Sequence, residues 1–331
     1  MKNIHELFPV KPVRSDDPDY LRQWRGRTWG LNNDVGQIRT VLMKRPGQEV
    51  TNLINTDVCK FEDEYGAWVN KDLRGYWISP DRAMPDMDKM QAQHDSFAQI
   101  LREEGAEVIY VDEGLDIDHD FRGMTNVRDV MFSVPGGAVI CRMAPAFRFG
   151  EEQWVQKKLA ELNMPIAGTI IGEGVFEGGS FGFLSPTVAY AGHSKRGNWE
   201  ALRQIESTLQ SLGIELVIIP LVGHSLHTDS AFTMADVDKA LYIPGRLPWW
   251  FLEKMEDLGI QGIEVDPKER WAVNSLTVSP GKVIVPAEAE VSIERMVKAG
   301  LEVVPLEYDE VQKNGGGLHC TTNPLVRDSV H

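Results

Sequence analysis

A chain of 331 residues with 42% hydrophobic composition has ample material for a large core, and its length alone suggests about two domains. Lys and Arg number 34 against 49 Asp and Glu, a formal charge of -15 with no basic run able to track a phosphate backbone, which argues against a nucleic-acid partner and for a small cationic one. Three scattered cysteines, Cys59, Cys141 and Cys320, are too few for a disulfide framework or a Cys-rich zinc site, and no stretch approaches the roughly 18 apolar residues of a membrane helix. The N-terminus lacks the apolar core of a signal peptide, so the expectation is a soluble cytoplasmic protein without membrane contact.

Residues 1–35 are polar and dotted with proline and tryptophan, and read as an arm laid over the body, of the kind that covers an edge or a neighbouring subunit. Residues 36–331 read as one catalytic domain. Its first strand is Gln37 to Met43, closed by the turn signal Arg45-Pro46-Gly47. Residues 48–85 are irregular and longer than an ordinary loop, which predicts a lid-like insertion. Apolar residues at Met87, Met90, Phe97, Ile100 and Leu101 predict a helix that Gly105 stops, followed by a strand from Glu107 to Val111.

A unit then repeats: strand, tight turn, strand, amphipathic helix, short strand. The predicted helices run from about Glu151 to Leu162, Asn198 to Leu212, Pro248 to Leu258 and Glu288 to Ala299. A fifth unit starts at Gly315-Gly316-Gly317-Leu318-His319-Cys320 and lacks its remainder, which it must borrow from the first strand and first helix if the units close. Repetition overrides the length prior and makes a closed α/β ring more natural than two domains. Asp129, Glu177, His227, Asn274 and Cys320 begin successive units, at separations of 48, 50, 47 and 46 residues, so a ring would gather them at one end.

Three glycines before Cys320 give a backbone freedom suited to close approach by a ligand. A free thiol is only a few per cent thiolate at neutral pH, so a nucleophilic Cys320 needs a cation or a helix N-terminus beside it. His227, in the run His227-Thr228-Asp229-Ser230, has the pKa range for moving protons to and from a leaving group. A metal site from His224, His227 and Asp229 is disfavoured, because the spacing is not HExxH and no helix sets both histidines on one face.

Asp129 and Asp229 lie in apolar strands, where an unpaired carboxylate is costly. They read either as partners of a local arginine such as Arg128, or as a pair gripping one guanidinium, whose planar donors suit bidentate acceptors. Each close pair is worth on the order of 4 kcal/mol at an effective dielectric of about 20, before desolvation. Glu177, fixed by Gly178 and Gly179, reads as an orienter of His227 or a third acceptor. Arg148 lies nineteen residues beyond Asp129, and Arg196 nineteen beyond Glu177, equivalent places from which two arginines could hold a carboxylate.

With NVRD, FEGG, HTDSAFTM and GGGLHC on one chain, residues 36 to 327 resemble the pentein superfamily of guanidine-modifying enzymes. That group includes arginine deiminases, dimethylarginine dimethylaminohydrolases and amidinotransferases. The resemblance implies a five-bladed α/β propeller of ββαβ units. It implies that Cys320 attacks a guanidinium carbon to give a covalent thiouronium adduct, that His227 protonates the leaving amine and then activates the incoming nucleophile, and that Glu177 completes the triad. It also implies Asp129 and Asp229 on the guanidinium nitrogens and Arg148 and Arg196 on a substrate carboxylate, with no cofactor or metal; homo-oligomers occur among its members. Ser180 stands where the hydrolase pattern EGGD has aspartate, and Glu177 where mammalian-type amidinotransferases have aspartate. Three activities are therefore carried forward: a hydrolase of arginine or an arginine derivative, an amidinotransferase, and a non-catalytic binder of an arginine-like metabolite.

Overall fold

The protein's structure, a computed structural model, describes residues 3, 7, 12–52, 58–71, 75–84, 86–115, 121, 123–223 and 225–330. The helix α1 (Pro18–Arg25) starts on Asp17, whose carboxylate accepts from the N–H groups of Asp19 and Tyr20, and ends at Gly26 in the left-handed region. Beyond it Trp29 is buried, Gly30 donates to the carbonyl of Leu325, and Gly136 donates to the carbonyl of Trp29. This segment thereby binds two separate units by backbone hydrogen bonds.

After β1 (Ile38–Met43) and the single turn α2 (Gln48–Thr51), the strands β2 (Cys59–Glu62), β3 (Ala67–Asn70) and β4 (Gly75–Ile78) form an antiparallel sheet. The described part of residues 48–85 is therefore more regular than the sequence suggests. Cross-strand aromatics supply the order: Phe61 meets Trp68 edge-on at 5.4 Å between centroids, and Trp68 stands opposite Trp77. Next come α3 (Met87–Glu103), capped by Asp86, and β5 (Glu107–Tyr110).

Four units of one plan follow. They are β6 (Met131–Val134), β7 (Gly137–Ile140), α4 (Glu151–Glu161) and β8 (Ile166–Thr169); β9 (Phe181–Ser185), β10 (Val188–His193), α5 (Trp199–Leu212) and β11 (Glu215–Pro220); β12 (Phe232–Asp236), β13 (Lys239–Tyr242), α6 (Trp249–Asp257) and β14 (Gln261–Glu264); and β15 (Leu276–Ser279), β16 (Lys282–Pro286), α7 (Glu290–Lys298) and β17 (Glu302–Leu306). In each unit a hairpin is followed by a helix that returns the chain parallel to the hairpin's second strand, the crossover that a parallel pairing requires. After α8 (Asp309–Gln312), β18 (Thr322–Arg327) pairs antiparallel with β1, and β1 pairs parallel with β5. The last unit is thus completed by the first strand and α3.

Helix spacing explains the packing within a unit. In α5, Asn198 caps the start, Ala201, Leu202, Ile205 and Leu209 are buried, and Gly213 ends the helix at φ 77°. That stripe packs with Ala189 and Ala191 of β10. Each fully buried Leu or Ile contributes about 1.5–3 kcal/mol relative to exposure. The architecture is an α/β fold of six three-stranded sheets among the described residues.

Candidate active site

Short turns precede the first strands of the units, and these turns carry the reactive side chains. Val127–Val130 holds Asp129, Gly178–Ser180 follows Glu177, Thr228–Ser230 holds Asp229 and follows His227, and Pro267–Asn274 ends on Asn274. Cys320 follows Gly315, whose φ of 85° is a glycine conformation. Backbone bonds lock these turns together: Arg128 N–H donates to the Cys320 carbonyl, and His319 N–H to the Asn274 carbonyl. Asp129, His227, Asp229, Asn274 and Cys320 thereby line one cavity of about 720 Å³.

Asn274 grips the cysteine at two points. Its Nδ2 donates to Cys320 Sγ at 3.2 Å, and its Oδ1 accepts from the Cys320 N–H at 3.2 Å. The thiol in turn points at Asp229 Oδ2, 3.3 Å away, which also contacts His319 Nδ1 at 3.0 Å. Burial, then the charges of Asp229 and Asp129, push the thiol well above its ordinary pKa. Asp229 itself is lowered: burial raises it, but the contacts with His319, His227 and Cys320 outweigh that.

Across the cavity, His227 Nε2 lies 2.7 Å from Glu177 Oε2, and Nδ1 lies 3.5 Å from Asp129 Oδ1. Burial alone would lower the imidazole, but Asp129, Glu177 and Asp229 raise it to about 9, so His227 carries a proton at neutral pH. Glu177 is fully buried; burial raises its pKa, yet His227, Arg148 and Arg196 bring it down to about 2. Gly179 makes the convergence possible. A Cβ there would stand 2.7 Å from Asp129 Oδ1, 3.0 Å from His227 Nδ1 and 3.2 Å from Asp229 Oδ2.

The structure thus brings Cys320, His227, Glu177, Asp129 and Asp229 together. Arg148 and Arg196, which the resemblance sets on a substrate carboxylate, both line the cavity and both pair with its buried acids. Arg148 is 4% exposed and bonds Asp129 Oδ2 through Nη1 at 2.5 Å, Glu151 through Nε and Nη2, and the carbonyls of Gly123 and Asn126 through Nη2. Among the described residues one of its five N–H groups, on Nη1, is uncommitted, and Arg148 is the internal partner of Asp129. Arg196 Nη1 donates to both oxygens of Glu177 at 2.9 Å. Arg128, the arginine adjacent to Asp129, points elsewhere and donates to the carbonyl of His319.

The acidic cluster within 4.8 Å is Asp129, Glu177 and His227, a different set from His224, His227 and Asp229, and His224 lies outside the described residues. Arg148 and Arg196 already neutralise its carboxylates, and a divalent ion there would crowd like charges. Sequence reasoning assigned no role to Asn274, although its place at a unit start marked it. Glu151 was missed, because nothing in a helix-opening Glu-Glu pair announces a buried partner for Arg148.

The arginine deiminase family model matches residues 259–327. Over 91% of this chain and 98% of the relative, the sequence is 24% identical to the arginine deiminase of Staphylococcus aureus. Among solved structures, the N-terminal domain of ArgZ, covalently bound to a reaction intermediate, superposes with a TM-score of 0.71 at 18% identity, covering 87% of this chain and 98% of that one. An inosamine-phosphate amidinotransferase from Streptomyces griseus gives 0.68 at 17% identity, covering 92% and 98%. In sequence and fold the chain is thus similar to guanidino-modifying enzymes of the pentein type. Within that class, the family model it matches is that of arginine deiminase, over its C-terminal units.

Proposed function

We propose that this protein is a cysteine-dependent hydrolase that cleaves a guanidino C–N bond of arginine or an arginine derivative, giving a ureido product and an amine or ammonia. The observation that carries the reading is the placement of Cys320 Sγ between Asn274 and Asp229, in a cavity whose other wall is His227 backed by Glu177. The surrounding carboxylates keep the thiol neutral and His227 protonated. A guanidinium held by Asp129 and Asp229 offsets the two charges that keep the thiol protonated, so substrate itself favours the thiolate, and the thiol's proton leaves to solvent as the cation enters. Sulfur then bonds to the guanidino carbon, His227 gives its proton to the departing nitrogen, and that C–N bond breaks. Water enters next, loses a proton to His227 and attacks the adduct carbon. The C–S bond breaks and the ureido product leaves.

Arg196 keeps donors for a substrate carboxylate, since among the described residues only its Nη1 is hydrogen-bonded by side chain. Tyr76 and Ile78 of β4 line the cavity, which supports residues 48–85 as a lid. The five mixed sheets are read as blades of a closed five-bladed propeller, supported by the pairing of β18 with β1 and by the backbone bonds between successive turns.

An amidinotransferase would use the same first half and accept an amine in place of water, as the superposition on the Streptomyces enzyme suggests. Product analysis separates the two. The protein is incubated with arginine, methylarginines, agmatine, guanidinoacetate and guanidinobutyrate, with and without glycine as acceptor. A ureido product formed without acceptor is the expected result, whereas a new guanidino product formed only with acceptor overturns the hydrolase.

A further inference from the structure

Behind Arg148 of the cavity wall lies a group that the mechanism leaves unused, Glu151, the first residue of α4 and 0% exposed. A fully buried carboxylate is costly unless paired, and Glu151 is paired along a whole edge of one guanidinium. Arg148 Nε donates to both its oxygens at 3.1 and 3.0 Å, and Nη2 donates to Oε2 at 2.7 Å. The opposite edge of Arg148 reaches Asp129 Oδ2 through Nη1 at 2.5 Å. Room for the pair is made by Gly123, where any Cβ would collide with Arg148 and Glu151. At the far end of this row, Asp129 Oδ1 is buried and accepts no hydrogen bond among the described residues. It lies beside His227 Nδ1 in the cavity that contains the thiol.

We propose that Glu151 is a positioning residue: it holds Arg148, and through Arg148 it fixes Asp129 with one oxygen committed to the protein and the other kept open for a substrate guanidinium. This rests on the guanidino reading given above. In this row the bidentate edge of Arg148 is filled by a fully buried acid, which holds the guanidinium in one orientation. The row also explains how a carboxylate oxygen can remain without a hydrogen bond in a buried site, with only the His227 ring facing it at 3.5 Å. With Oδ2 tethered, the Asp129 carboxylate cannot rotate to satisfy Oδ1 elsewhere.

Steady-state kinetics of Glu151→Gln and Glu151→Asp on the best guanidino substrate of the wild type test this, with thermal unfolding as a check on folding. A loosened Asp129 weakens binding of the cation and leaves the Cys320 and His227 chemistry in place. KM is therefore expected to rise about ten- to hundredfold in Glu151→Gln, the loss of one charge-assisted contact, with kcat within about threefold. Glu151→Asp keeps the charge and loses reach, and is expected to fall between wild type and Glu151→Gln; if Glu151→Gln does not fold, Glu151→Asp decides. A merely structural role reduces the active fraction, and so lowers kcat with KM unchanged. That result, or an unchanged KM in a folded variant, overturns the proposal while the guanidino reading stands. Absence of wild-type turnover on every guanidino compound removes both.

Discussion

Charge decides what each group around Cys320 can do. Asp229 and Asp129 raise the thiol, and the same acids with Glu177 raise His227, so the resting site stores a proton on the imidazole and keeps the sulfur neutral. Only a cation arriving between the carboxylates relieves both conditions, which ties activation of the nucleophile to occupancy. The geometry depends on Gly179 having no side chain. Gly179→Ala puts a methyl group where Asp129 Oδ1, His227 Nδ1 and Asp229 Oδ2 converge, and its neighbours are side-chain atoms able to shift without unfolding the chain. A displacement of this size costs on the order of 10²-fold in rate, so kcat/KM of Gly179→Ala is expected to fall by about that factor while its circular dichroism matches wild type. Undiminished activity would show that the three groups do not act at one point.

At the level of elements, α3 carries a buried titratable group remote from the cavity. His94 is 0% exposed, and neither ring nitrogen has a hydrogen-bond partner among the described residues. Burial, with further help from Lys44 and Arg45 and against the pull of Asp95, lowers it from 6.5 to about 3. Below pH 6.5 the unfolded chain takes up a proton that the folded chain refuses until about pH 3, so this group costs stability progressively as pH falls through that window. His94→Leu removes the titration. Chemical denaturation between pH 7 and 4 is expected to show a shallower loss of stability in His94→Leu than in wild type, and equal slopes would contradict the burial argument. The helix itself was legible from apolar spacing, as were α5 and the strands of the four repeated units, because period and caps agree there. The sheet β2 to β4 was not, since its strands are four residues each and its order comes from aromatic pairs that meet only after folding. Side-chain partnership was the least legible level. The arginine next to Asp129 in sequence, Arg128, turns to the carbonyl of His319, while Arg148, nineteen residues on, supplies the ion pair.

For the molecule as a whole, the pairing of β18 with β1 matters most. It joins the last turn, which bears Cys320, to the first strand of the body, and so places the thiol opposite turns contributed by four earlier units. No helix among the described residues is long and apolar enough to cross a membrane. The regular spacing of Asp129, Glu177, His227, Asn274 and Cys320 made this gathering readable before any fold was known. The row Glu151, Arg148, Asp129 depends on three-dimensional packing and was not readable. The proposed reaction requires Cys320 to form a bond to a guanidino carbon. The most direct test is intact and peptide mass spectrometry after acid quench during turnover of a guanidino substrate, with Cys320→Ser alongside. A mass gain equal to the substrate minus its leaving amine, located on Cys320 and absent from Cys320→Ser, is the predicted result. Turnover that persists in Cys320→Ser would contradict it.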